Sequence, residues 1–146
     1  MAVKPIPDGY HTITPYLIVA NVEGLIEFVE EAFDGSLRGG EAARDSSGRI
    51  MHAEMQIGDS VVMMSEATDD STPMTAMLHL YVEDVDAVYQ RALAAGGTSL
   101  REPTDEFYGD RSAGVADDFG NQWWIATLVE DVPPEEMQRR MEMENT

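Results

Sequence analysis

Apolar positions recur along this chain with two periods, and the whole pattern occurs twice. Val22, Leu25, Ile26, Val29 and Phe33 have the spacing of one buried helical stripe. Asn21 before the stripe suits an N-cap and Gly35 after it a stop. Val85, Val88, Tyr89, Ala92 and Leu93 repeat the stripe, between the cap residue Asp84 and the pair Gly96-Gly97. Around the stripes the spacing shortens to that of strands. Residues 12–20 (TITPYLIVA) predict a strand that Pro15 pushes towards a sheet edge. Residues 36–44 predict a weak strand broken by Gly39-Gly40, and Asp45-Ser46-Ser47-Gly48 a turn. Residues 50–66 form a hairpin pattern that turns at Gly58-Asp59-Ser60, and 67–75 a polar connector. Strands are then expected over 76–82 and 98–102, followed by a loop over 103–110. A second hairpin spans 111–127 and turns at Asp117-Asp118-Phe119-Gly120-Asn121. Its last strand, 122–127 (QWWIAT), is aromatic or apolar on both faces, the composition of a strand covered on both sides. A final helix is expected over about 133–143. Pro134 stands in its first turn, Glu135 and Glu136 follow, and Arg139 and Arg140 come later, as the helix dipole favours.

Each half therefore reads strand–helix–strand–strand–strand. Residues 15–23 (PYLIVANVE) align with 78–86 (LHLYVEDVD), and Gly58-Asp59-Ser60 with Gly120-Asn121-Gln122. One helix over four strands leaves a sheet face bare, so two such halves are expected to pair and form a cleft. The predicted fold class is α+β. Two βαβββ modules, about 11–66 and 76–129, form a cupped mixed sheet around one pocket, with a C-terminal helix added, all in one domain of 146 residues.

Charge narrows the partners. The chain has 28 acidic and 9 basic residues, a net charge of −19, which argues against nucleic acid and anionic membranes as partners. The acids are spread along the chain, as on a solvated acidic surface. No apolar run approaches the roughly 18 residues of a membrane helix. The start of the chain lacks a signal-peptide layout, so a cytoplasmic location is expected. The absence of cysteine removes disulfides, thiolate metal sites and thiol catalysis.

Three stretches resemble a known family: Val82-Glu83-Asp84-Val85-Asp86 at a strand–helix joint, its weaker partner Val19-Ala20-Asn21-Val22-Glu23, and Asp117-Asp118-Phe119-Gly120-Asn121-Gln122-Trp123. They are similar to the vicinal oxygen chelate superfamily of glyoxalases, bleomycin resistance proteins and extradiol dioxygenases. Phe107-Tyr108-Gly109-Asp110-Arg111 and the tail 129–137 (VEDVPPEEM) resemble its PhnB-like branch. The resemblance implies paired βαβββ modules, a small-molecule ligand, and a homodimer. In many members it also implies a divalent metal held by two side chains from each module. Carried over by register, those positions are Thr14, Val62 or Met63, Met77 and Trp124. None is a His, Asp, Glu or Gln, and thioether, indole and isopropyl groups do not ligate hard or borderline cations. No metal or other cofactor is therefore expected at the usual site.

His52, Glu54 and His79 are the candidates for catalysis, as metal-free acid–base groups or as a relocated two-His-one-carboxylate site for a lyase, isomerase or dioxygenase. The plainer alternative is a hydrogen-bonded core His79 and a His52–Glu54 pair. Tyr16, Tyr81, Phe107, Tyr108, Arg111 and Trp124 are the candidate ligand contacts. Arg111 could clamp an anion or simply pair with Asp110. Trp124 could stack on a flat ligand or fill the space a metal would use.

Overall fold

The computed structural model describes residues 2–144. Strand β1 (Tyr16–Val19) leads into helix α1 (Val22–Phe33), β2 (Ser36–Leu37), a single 3-10 turn, β3 (Ala43–Arg44), β4 (Ile50–Ile57) and β5 (Ser60–Glu66). The second module runs β6 (Met77–Tyr81), α2 (Val85–Ala94), β7 (Thr98–Asp105), β8 (Asp110–Ala116) and β9 (Gln122–Leu128), and α3 (Pro134–Glu144) ends the chain. The strand order is β1-β5-β4-β2 in one sheet, with β3 beside β4, and β6-β9-β8-β7 in the other. Both modules thus put a parallel first–last strand pair beside an antiparallel hairpin.

The helices begin where the stripes begin, and matching residues cap them. Asn21 Oδ1 accepts from the Gly24 amide, and Asp84 Oδ1 from the Ala87 amide. The last strand of each module also reaches its helix: Glu66 Oε2 accepts from the Val22 amide and Thr127 Oγ1 from the Val85 amide. Gly96, with φ 107°, ends α2 as expected, but the stop of α1 differs. Asp34, not Gly35, takes the left-handed C-cap conformation, with φ 55°. Gly35 and Gly97 are needed for close approach. A Cβ at Gly35 would run into the Val29 side chain, and one at Gly97 into the Val115 side chain and the Ala92 carbonyl.

Strand β7 continues to Asp105, through part of the stretch in which Pro103 and the acids predict a loop. It lies at a sheet edge and its register shifts twice, which is how an edge strand accommodates Pro103. The weak strand over 36–44 is split into two short strands by the glycine turn.

Helices α1 and α2 pack on each other, each against its own sheet. Leu17, Val19, Met55, Met64, Val115, Trp123 and Ile125 are buried beneath them. Trp123 ties the modules together: its ring centroid is 4.9 Å from that of Phe33 and 6.3 Å from that of Phe28, both on α1. The opposite face of each sheet has no such cover within the chain. Tyr16 on β1 and Met77 and Tyr81 on β6 are 43%, 66% and 67% exposed.

Candidate functional site

Strand pairing settles which residues look out from the bare faces. Tyr16 pairs with Met63, and Met63 with Glu54. His79 pairs with Trp124, and Trp124 with Gly114. Tyr16 and His79 are equivalent by the internal repeat, so the counterpart of Trp124 is Met63. Val62 instead turns towards the helix layer and is buried. The family's metal register therefore carries Thr14, Met63, Met77 and Trp124. These side chains do not fit a divalent cation.

On the first module, the Tyr16 hydroxyl and His52 Nδ1 are 3.1 Å apart, and His52 Nε2 and Glu54 Oε2 are 2.8 Å apart. A carboxylate only accepts, so in the neutral imidazole Nε2 carries the hydrogen and Nδ1 accepts from Tyr16. The result is a chain of hydrogen bonds along an open face. His52 and Glu54 reach the same side because they are two apart on β4.

The second module builds its face around two tyrosine and tryptophan rings. The Tyr81 hydroxyl donates to Asp110 Oδ2 at 2.9 Å. That hydrogen bond to the buried Asp110 carboxylate holds the Tyr81 pKa above the usual phenol value, with desolvation and the Asp110 charge adding to it. Trp124 lies across β8. A methyl group in place of the Gly114 hydrogen would stand 2.7 Å from Cζ3 of the indole, so glycine is what lets the ring lie against the sheet. Its Nε1 donates to Gln122 at 3.1 Å. The His79 ring stands 5.0 Å from that of Tyr81. Phe107 and Tyr108 meet edge to face at 5.3 Å in the β7–β8 turn, at the Asp110 end of the strand.

Two sequence expectations are corrected. Arg111 does not pair with Asp110. Its guanidinium donates to both Asp86 carboxylate oxygens, at 2.8 and 3.0 Å, and to Asp105 at 3.2 Å, so its donors are spent away from the Trp124 face. The Asp86 and Asp105 hydrogen bonds hold it protonated, and Asp86 is in turn held below the usual carboxylate range. His52, Glu54 and His79 do not meet within one chain either: the first two are on β4 and the third on β6, in different sheets. Among the described residues no group of three or more His, Asp or Glu side chains is placed to hold a metal.

The structure gives two of the turn residues a bonding role that the sequence does not reveal. Asp117 accepts from the Phe119 and Asn121 amides, from Asn121 Nδ2 and from Trp123 Nε1. Asn121 Oδ1 accepts in turn from the Ala76 amide, which sets β6 beside β9. A cavity of about 650 Å³ lies at the seam of the modules along the free edge of β6. Helical and strand periodicity carry no signal for such a seam.

Two βαβββ modules with an open sheet face each define the fold, and comparison with known proteins identifies the family that shares it. The chain belongs to the Glyoxalase/Bleomycin resistance protein/Dioxygenase superfamily, whose family model matches residues 9–125. An uncharacterised protein of Mycobacterium bovis is 34% identical over 142 residues, covering 88% of this chain and 91% of its own. Among solved structures, TioX from Micromonospora sp. ML1 superposes with a TM-score of 0.67 at 20% identity, over 82% of this chain and 99% of its own. A PhnB protein from Bacillus cereus gives 0.65 at 18% identity, over 80% and 99%. At these identities the structural likeness speaks for the fold.

Proposed function

We propose that this protein is a PhnB-like cytoplasmic binding protein that holds a flat small molecule on its open sheet faces without the superfamily's usual metal. The observation that carries this reading is Trp124, laid over Gly114 on a face otherwise bare. An indole fixed flat on a rigid sheet offers a stacking surface. Tyr81 and His79 border it, and Phe107 and Tyr108 stand at one end.

A second copy of the chain completes the site in this reading. Strand β9 is apolar on both faces, yet one chain covers only one of them. Met77, Tyr81 and Leu128 remain 66%, 67% and 57% exposed, and exposed apolar residues grouped on one face are a feature of interaction surfaces. Laying the first module of a second copy over this face would bury it and bring Tyr16, His52 and Glu54 opposite Trp124.

Tryptophan fluorescence tests the reading. Planar aromatic compounds are expected to quench Trp124 while leaving the buried Trp123 unchanged. Trp124→Ala should abolish the effect. Gly114→Ala, which forces the indole off the sheet, should weaken it with only a modest loss of stability. Quenching that survives in Trp124→Ala would sink the proposal.

The Tyr16–His52–Glu54 hydrogen-bond chain favours a second reading, a lyase or isomerase in which Tyr16 passes a proton to His52. In a dimer His79 of one copy would approach His52 and Glu54 of the other, the only route to the relocated metal site. Elemental analysis after purification without chelator separates these readings: stoichiometric metal that is lost in His79→Ala would favour the metal enzyme.

A further inference from the structure

The cavity at the module seam opens on the helix side of β6 and does not include Trp124, although His79 and Tyr81 line both it and the sheet face. It exists because neither module covers it. Strand β6 is the edge of its sheet, and α2 packs chiefly on β7, β8 and β9. The helix-side residues Leu78 and Leu80 are therefore left partly bare, and they form one wall. Phe33 at the end of α1 and Val88 on α2 form another. The volume, about 650 Å³, is in the range of small-molecule pockets.

The wall opposite β6 is the lead-in, residues 11–15, and it is tied down rather than loose. Arg38 Nη2 donates to the Asp8 carbonyl at 3.1 Å, and the guanidinium sits 4.9 Å from the centre of the Tyr10 ring. His11 Nε2 lies 3.2 Å from the Asp59 carbonyl oxygen. The cavity is thus bounded by fixed elements before any ligand arrives.

One cation lines it. Arg91 projects from α2, and among the described residues its one hydrogen bond is from Nε to the Glu31 carbonyl, at 3.4 Å. Arg44, Arg101, Arg111, Arg139 and Arg140 all pair with carboxylates. In a chain with 28 acidic residues, a guanidinium whose two terminal nitrogens have no protein partner stands out. Those nitrogens present the paired donors that a carboxylate accepts.

The geometry points to a second binding site at the module seam that takes a hydrophobic monocarboxylate, its apolar body between β6, Phe33 and Val88 and its carboxylate on Arg91. A dicarboxylate or phosphate suits it less well, because the other titratable side chains in the lining are His11, His79, Tyr81 and the acidic Asp59 rather than a second guanidinium or ammonium group.

Naphthoate is the probe, with neutral naphthylmethanol as its uncharged match, titrated calorimetrically into the full-length protein at about 0.15 M salt so that the protein's net charge is screened. Naphthoate is expected to bind, and Arg91→Gln to weaken it by roughly ten-fold or more, the worth of a charge-assisted hydrogen-bond pair. Naphthylmethanol should bind more weakly and be indifferent to Arg91→Gln. Val88→Phe, which fills the cavity from an already half-buried position, should weaken both ligands. Trp124→Ala should remove only stacking on the sheet face and leave the Arg91-dependent part of naphthoate binding unchanged, which separates this site from the sheet-face site. The proposal is overturned if naphthoate does not bind, if Arg91→Gln leaves its affinity unchanged, or if Trp124→Ala abolishes its binding.

Discussion

At the scale of single residues, the fold turns on groups that satisfy several neighbours at once. Asp117 is buried and accepts four hydrogen bonds, one of them from the indole of Trp123. Removing it strands buried donors in the turn and in the core, and each such donor costs about 1–3 kcal/mol. Asp117→Ala is expected to lower stability by about 3 kcal/mol or more, read as a shift in the urea midpoint. A loss under about 1 kcal/mol would mean that water replaces the carboxylate in the turn. Residue identity at this scale was partly legible beforehand. The Asp-Gly-Asn turn was evident, but the bond from Asp117 to Trp123 was not, because it joins groups on opposite sides of the turn. Arg111 shows the converse. Its chemistry suggested an anion clamp, while its partner Asp86 lies on a helix, 25 positions earlier in the chain.

At the scale of elements, the helices are held by different forces. Helices α1 and α2 are fastened by buried apolar stripes. Helix α3 buries no residue and is held by ion pairs. Arg140 donates to both Glu130 carboxylate oxygens, at 2.8 and 2.9 Å, to Glu136 at 2.9 Å and to the Phe107 carbonyl at 3.0 Å. Hydrogen bonds from Arg139 and then Arg140 pull the Glu136 pKa down to about 2. A carboxyl depressed in the folded state contributes stability above its ordinary value, near 4.5, and loses it as the pH falls towards about 2. Glu130 is lowered for the same reason, by Arg140. Between about pH 4.5 and 2, α3 should therefore detach while the sheets persist. Amide exchange in α3 should rise there and also with added salt at neutral pH, and Arg140→Gln should reproduce the effect at neutral pH. Equal acid sensitivity in α2 would show that the whole fold, not this helix, was responding. The positions of all three helices were legible in the sequence. How weakly the third is held was not, because amphipathic spacing does not reveal whether a surface is available to receive it.

At the scale of the whole molecule, charge and the bare faces dominate. A net charge of −19 on 146 residues repels itself in the folded state, and added salt screens that repulsion. The melting temperature should rise by several degrees between about 0.02 and 0.5 M sodium chloride, opposite in sign to the response of α3 alone. A flat or falling melting curve would show that the surface ion pairs outweigh the net repulsion. Light scattering should report a dimer, and replacing exposed Met77 and Leu128 by Glu should yield monomers that remain folded by circular dichroism. A monomeric parent protein would remove the second copy from the proposed site.

The sequence alone determined the repeated βαβββ plan, the two caps, the hairpin turns and the unsuitability of Thr14, Met77 and Trp124 as metal ligands, because each of these follows from local spacing or side-chain chemistry. Only the tertiary structure decided the rest. Met63 rather than Val62 faces outward because strand register is set by pairing across the sheet. His79 stands apart from His52 and Glu54 because the two modules keep separate sheets. Trp124 lies flat because Gly114, ten residues away in sequence, pairs with it across β8 and β9. The seam cavity lined by Arg91 arises where two modules end beside each other, and no periodicity within either module encodes that space.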